Sequence, residues 1–303
     1  MLRPLLLYLS EQEGPKKLLM GNPLGRRLAS RFIAGEELED ALRVIRRLNS
    51  EGFRVTLDCL GESVHQGTAA EVACQIYLQL LDRLAAEKLD SHVSVKLTQL
   101  GLAIDEGLAR RNLGRIAESA ARHHNFVRID MEGSTFTDST LRVFCSVDAP
   151  RDVMGIAIQA YLRRTEADVE ELLKRGVRIR LVKGAYQEPP DIAFAQKRVV
   201  DRNYQRLTEK LLVSGAYHAI ATHDDHIIAA TERFARERRI SPDSFEFQLL
   251  YGIRRQLQRE LIHQGWRVRL YVPYGREWYA YFMRRLAERP ANLFFLMRNL
   301  LRA

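Results

Sequence analysis

Four positions near the end of the chain carry the sharpest chemical signal. Tyr281, Arg284, Arg285 and Glu288 follow i, i+3, i+4, i+7 spacing. A helix turning 100° per residue brings them within about 100° of one another, on one face. Two neighbouring guanidinium groups on such a face can grip a carboxylate through paired N–H forks. The same spacing fits an Arg-rich solvated face with an internal ion pair. Trp278, Tyr279 and Phe282, however, make this stretch too aromatic for a helix lying wholly in water. Other polar residues close short apolar runs one after another: Asp58 and Glu62, Lys96, Asp130 and Glu132, Gln159, Arg180 and Lys183, His223 and Asp224, Gln248, and Tyr271. Burying ionisable groups is costly unless they are paired, so a set this regular points to a shared site. His223-Asp224-Asp225-His226 suggests metal ligands. A metal-dependent barrel hydrolase using His223 and His226 is therefore the alternative function. Such a site needs further ligands from other strand ends, and Thr56-Leu57-Asp58-Cys59 offers no His-x-His, so no metal is expected.

An alternation of elements must position these residues. Short β-branched runs over 53–61, 92–98, 126–132, 154–161, 177–183, 218–223, 245–250 and 268–272 read as eight strands. Helix-period stretches follow each: Thr68 to Lys88 with Thr68 as N-cap and Glu71 at the capping-box position, about Asp105 to His124, after Thr137, from Thr165, from Asp191, from Asp224 or Asp225, Arg254 to His263, and Arg276 to Glu288. Eight strand–helix units in a row argue an α/β fold of the (β/α)8 barrel type, whose active site lies at the C-terminal strand ends. Residues 1–50 form an N-terminal helical segment, with an amphipathic stretch at Ala41–Leu48, and 51–303 form the barrel with its C-terminal helix. No GxGxxG follows the first strand and no GxxxxGK[ST] occurs, which counts against those nucleotide sites.

Composition narrows the class. A 303-residue chain with 46% hydrophobic residues can build a large core, which excludes a disordered or fibrous protein. Cys59, Cys74 and Cys145 are too few and scattered for a disulfide scaffold and fit a reducing, cytoplasmic setting. No apolar run is long enough to span a membrane, and the apolar start lacks a signal-peptide cleavage site. Lys and Arg total 47 against 38 Asp and Glu, a net charge of +9. The arginines are dispersed rather than clustered with aromatic platforms, so no nucleic acid is expected. Attraction to anionic lipid fits the charge better. Leu5–Leu9 and Leu293–Met297, both flanked by Arg, either lie in a membrane interface or pack on the barrel. A basic, non-enzymatic binding protein is the third reading.

Arg180-Leu-Val-Lys-Gly-Ala-Tyr186, Ala221-Thr-His-Asp224, Phe245-Glu-Phe-Gln-Leu-Leu-Tyr-Gly252 and Tyr281-Phe-Met-Arg-Arg-Leu-Ala-Glu288 together resemble the proline dehydrogenase family, in the family's order, over about residues 50 to 298. The length resembles the monofunctional bacterial form. The resemblance implies a distorted barrel holding FAD, with the last helix over the barrel mouth. It implies oxidation of L-proline to Δ1-pyrroline-5-carboxylate by hydride transfer, the first step of proline catabolism. Electrons would leave to a membrane quinone from a cytoplasmic protein docked peripherally on the inner membrane face, and a separate pyrroline-5-carboxylate dehydrogenase would take the product.

By the same resemblance Asp130, Arg180 and Tyr271 are catalytic. Asp130 would orient Lys96 or the substrate amine, and Arg180 would sit beside the flavin's hydride-accepting nitrogen. Arg284 and Arg285, helped by Lys96, would hold the proline carboxylate. Tyr271, Tyr281, Ala185 and Leu250 would wall the ring. Met131, Gln159, Lys183, Gly184, Ala185, Thr222, His223 and Gln248 would line FAD. Glu62 would pair with Arg284 as a gate. The loop from Tyr271 to Tyr281 varies in length across the family, and the first 50 residues carry no motif to align.

Overall fold

In a computed structural model describing residues 8–9, 12–61, 63–150 and 152–288, eight parallel strands close into a barrel in chain order. They are β1 (Arg54–Cys59), β2 (Ser91–Val95), β3 (Val127–Ile129), β4 (Met154–Gln159), β5 (Arg178–Val182), β6 (His218–Ala221), β7 (Phe245–Leu250) and β8 (Val268–Tyr274). Closure runs from Arg54 opposite Arg269 to Cys59 opposite Tyr274. Period-two alternation sends Val55 and Leu57 into the main hydrophobic core, together with Ala41, Leu42, Ile45 and Leu48 of the helix Leu38–Ser50. That helix opens with a reciprocal Glu37/Asp40 capping box. Among the described residues, no helix is long and apolar enough to cross a membrane.

The N-terminal half of the barrel is filled by charged groups rather than by branched apolar layers. Arg269 and Glu246 are wholly buried and face each other at 2.8 Å and 3.0 Å. Arg128, also buried, donates to the Arg178 carbonyl at 2.6 Å. Nearby His218 is completely enclosed. The Ile179 N–H donates to its Nδ1 at 3.0 Å, and Ser214 Oγ lies 2.8 Å from Nε2. Burial, then the Arg128 charge, pushes His218 down to about 3. The ring is therefore neutral in the native state and gains its proton on unfolding. Because the folded pKa lies below the unfolded value of about 6.5, this contribution is complete above about pH 6.5 and is lost as pH falls toward 3. Its expected slope is about 1.4 kcal/mol per pH unit. Urea unfolding of wild type and His218→Gln across that window checks this. An unchanged slope in the variant would contradict it.

The last helix (Trp278–Glu288) forms a second core with the N-terminal segment. Phe32 and Phe282 rings lie 6.0 Å apart, Trp278 Nε1 donates to Glu36 at 3.0 Å, and Lys16 reaches Glu277 at 3.2 Å. Ala34 N–H to the Pro273 carbonyl and Gly275 N–H to the Gly35 carbonyl tie the same segment to the end of β8. This packing holds the helix over the mouth of the barrel.

Three local expectations are corrected. The helix after β1 begins at Gly67 with Gln66 as N-cap, so Thr68 lies inside it; Glu71 spends its carboxylate on Arg115 and Gln75 instead of a capping box. The helix expected from Asp191 begins at Lys197. Pro189-Pro190 disfavours helix there, and the segment pairs instead with the end of β4's loop: Leu162 bridges Ala193, and Phe194 N–H donates to the Tyr161 carbonyl. The last helix starts at Trp278 rather than Arg276, whose guanidinium is engaged by Glu37 at 2.6 Å.

Candidate active site

The side chains at the C-terminal strand ends converge on one cavity of about 420 Å³. Asp130, just beyond β3, is the hub of its polar network. Arg180 Nη1 donates to its Oδ1 at 2.6 Å, Ser94 Oγ to the same oxygen at 2.8 Å, and the Tyr271 hydroxyl to Oδ2 at 2.8 Å. Lys96, just beyond β2, sits 3.7 Å from Asp130 Oδ2 and is gripped from below by both oxygens of Asp58, at 2.9 Å and 3.0 Å. Period-two alternation places Ser94 and Lys96 on the same inward face of β2. The Arg180 guanidinium lies over the Tyr271 ring at 5.4 Å.

Burial, then the charges of Asp130 and Asp58, pushes the Tyr271 phenol well above its usual value, so it stays a donor. Burial also raises the Asp58 carboxyl, against the opposing charge of Lys96. Lys96, Arg180 and Arg285 on the cavity wall outnumber Asp130 and Asp58, leaving that end of the site with an excess cation for an anionic group.

Met131, Gln159, Lys183, Gly184, Ala185, Thr222, His223 and Gln248 line the same cavity, a stretch that is glycine-backed and largely polar. Gly184 has φ +125°, and a Cβ there would sit 2.2 Å from the Tyr161 ring, so only glycine fits. Lys183 bridges Asp201 at 2.5 Å and Asp224 at 2.8 Å. Burial alone would raise Asp224, but Lys183 and Lys197 win and hold it at about 2.

Of the residues singled out from sequence, Lys96, Asp130, Arg180, Tyr271, Leu250, Ala185 and Arg285 also meet at this cavity. Tyr281 is buried behind it, with the Arg285 guanidinium over its ring at 5.1 Å. Arg284 is half-buried and is not part of the lining. Glu62, Leu5 to Leu7, Leu293–Met297 and the Glu288 side chain lie outside the described residues. Glu132 is structural: its carboxylate caps Thr98 through the backbone N–H at 3.1 Å and the hydroxyl at 2.5 Å. His223 Nε2 accepts the Leu250 N–H at 3.1 Å, and His226 is exposed. Among the described residues, no group of three or more His, Cys, Asp or Glu is placed to hold a metal. Sequence reasoning gave no role to Asp58 and did not name Ser94. The signal for Ser94 was its position two residues before Lys96 on a strand.

A family model for proline dehydrogenase matches residues 41–298. Over 299 residues the chain is 42% identical to proline dehydrogenase 2 of Bacillus subtilis, covering 98% of each. It is 40% identical to the proline dehydrogenase of Deinococcus radiodurans over 280 residues, covering 91% of this chain and 90% of that one. The chain belongs to the proline dehydrogenase family. Among solved structures, proline utilization A from Bdellovibrio bacteriovorus, inactivated by N-propargylglycine, is similar with a TM-score of 0.81 and 29% identity. That likeness covers 87% of this chain, which spans about a third (33%) of the larger protein. Asp130 and Arg285 both line the cavity of this family member. The hydrolase and non-enzymatic readings are set aside.

Proposed function

We propose that the chain oxidises L-proline to Δ1-pyrroline-5-carboxylate with FAD as its resident acceptor. The observation that carries this is the cavity that brings the Asp130 hub together with unmet polar atoms. Gln248 Oε1 is buried with no hydrogen-bond partner among the described residues, as is Arg180 Nε. Buried polar atoms left unmet are costly, so both fit a polar ring system that supplies partners. Lys183, Gly184, Ala185, Met131, Gln159, Thr222, His223 and Gln248 would hold that ring. When bound, FAD supplies the two-electron acceptor for the hydride leaving the substrate ring.

The chain's own groups do the rest. Arg285 and Lys96, with Arg284, bind the carboxylate. Asp130, fixed by three donors, is the acceptor for the amine N–H, because the Tyr271 phenol stays protonated and donates a hydrogen bond to Asp130. Ala185, Leu250 and Tyr271, backed by Tyr281, exclude water from the reacting carbon. Glu62, three residues after the end of β1 in the sequence, would close against Arg284 over bound substrate. Electrons would pass to a membrane quinone, with the protein docked peripherally on the cytoplasmic face; the net charge of +9 supports that surface. The product would pass to a separate pyrroline-5-carboxylate dehydrogenase. The visible spectrum of the purified protein tests the cofactor reading. The flavin bands are expected, and a colourless protein that takes up no FAD on reconstitution would contradict it.

A further inference from the structure

Gln248 owes its orientation to a residue outside the cavity. Glu246, two residues earlier on the same inward face of β7, is 1% exposed and is not part of the cavity lining. Arg269 Nε donates to both of its oxygens, and the Tyr217 hydroxyl donates to Oε2 at 2.9 Å. The Gln248 amide nitrogen donates to Oε1 at 2.5 Å. Burial pushes the Glu246 carboxyl up, but Arg269, Gln248 and Tyr217 more than offset it and hold it below its usual range. An ionised carboxylate only accepts. The Gln248 amide therefore has to turn its NH₂ toward Glu246, which leaves its carbonyl oxygen as the unmet atom of a residue that lines the cavity. Gln248 is 4% exposed, and that oxygen has no partner among the described residues.

We propose that Glu246 is a positioning residue for the cofactor: it locks Gln248 as an acceptor, so the cavity selects a ring edge that presents an N–H donor. This rests on the FAD reading and deepens it. An oxidised isoalloxazine ring carries several acceptors but a single ring donor, the pyrimidine N3–H. Gln248 Oε1 is assigned as the partner of that N–H. Arg269 completes the device, because it keeps Glu246 charged in the barrel interior and is itself anchored to the Val55 carbonyl at 2.7 Å.

The test compares the affinities of apoprotein for FAD and for N3-methyl-FAD, followed by flavin fluorescence. Wild type is expected to prefer FAD by about 10- to 100-fold, the cost of a buried acceptor left unmet. In Glu246→Gln the amide at 248 is free to turn. The preference should fall to within a few-fold, through weaker FAD binding and little change for the methylated ring. General loss of stability would weaken both flavins together and leave the ratio unchanged, so the ratio reports orientation. Should stranding Arg269 prevent folding, Glu246→Gln combined with Arg269→Met removes both buried charges at once and is expected to lose the preference equally. A wild type that binds both flavins alike, or a Glu246 variant that keeps the full preference, overturns the inference while leaving the FAD reading intact. A wild type that binds neither flavin overturns both.

Discussion

Arg180→Met protein is expected to retain FAD yet accept electrons from proline about 100- to 1000-fold more slowly, the usual cost of removing one preorganised charge from a developing anion. Arg180 is 3% exposed and lines the cavity. Its Nη1 is committed to Asp130 and Ser94, its plane lies over Tyr271, and its Nε is left without a partner among the described residues. The methionine variant loses the cation but leaves Asp130 held by Ser94 and Tyr271, with Lys96 close by. The substrate wall should therefore survive, and proline affinity should change less than the rate. Arg180→Lys, which restores the charge without the fork, should recover part of the loss. Stopped-flow anaerobic reduction checks this. A wild-type rate in Arg180→Met would remove Arg180 from the chemistry.

The second large effect is expected at Arg285. Arg285→Met should raise the apparent KM for proline about 10- to 100-fold while FAD stays bound, because a charge-assisted contact is worth about 1.5–3 kcal/mol. The geometry separates the two arginines that share a helix face. Arg285 lines the cavity, supported on the Tyr281 ring, whereas Arg284 does not. The Arg284→Met effect should accordingly be the smaller, and should act through its proposed partner. A double-mutant cycle of Glu62→Ala with Arg284→Ala on kcat/KM is expected to be non-additive. Strict additivity would end the gate, and a normal KM in Arg285→Met would place the carboxylate clamp elsewhere.

The barrel was legible in the chain because every strand is a short apolar run closed by a polar residue and followed by a long helix-period stretch. Most of the cavity followed, since strand-end residues of a closed barrel have to converge. What escaped depends on contacts that a sequence does not display. Ser94 is a small polar residue between two valines, and it matters only because Asp130 and Arg180 arrive beside it from two other strands. Asp58 was visible as a strand-end carboxylate, but its role appears only with Lys96 bound to both of its oxygens. The helix start moved from Asp191 to Lys197 because a β-bridge between Leu162 and Ala193 competes with local propensity. Periodicity put Arg284 and Arg285 on one helix face, yet one such face is wide enough for one side chain to reach the cavity lining while the other does not.

Anaerobic addition of L-proline to the purified, flavin-loaded protein tests whether proline reduces the bound flavin. The flavin absorbance is expected to bleach as proline is added, Δ1-pyrroline-5-carboxylate to appear in equal amount to the flavin reduced, and Arg285→Met to shift the bleaching to much higher proline. A flavin spectrum that stays oxidised at saturating proline, in protein that holds its FAD, would contradict that expectation.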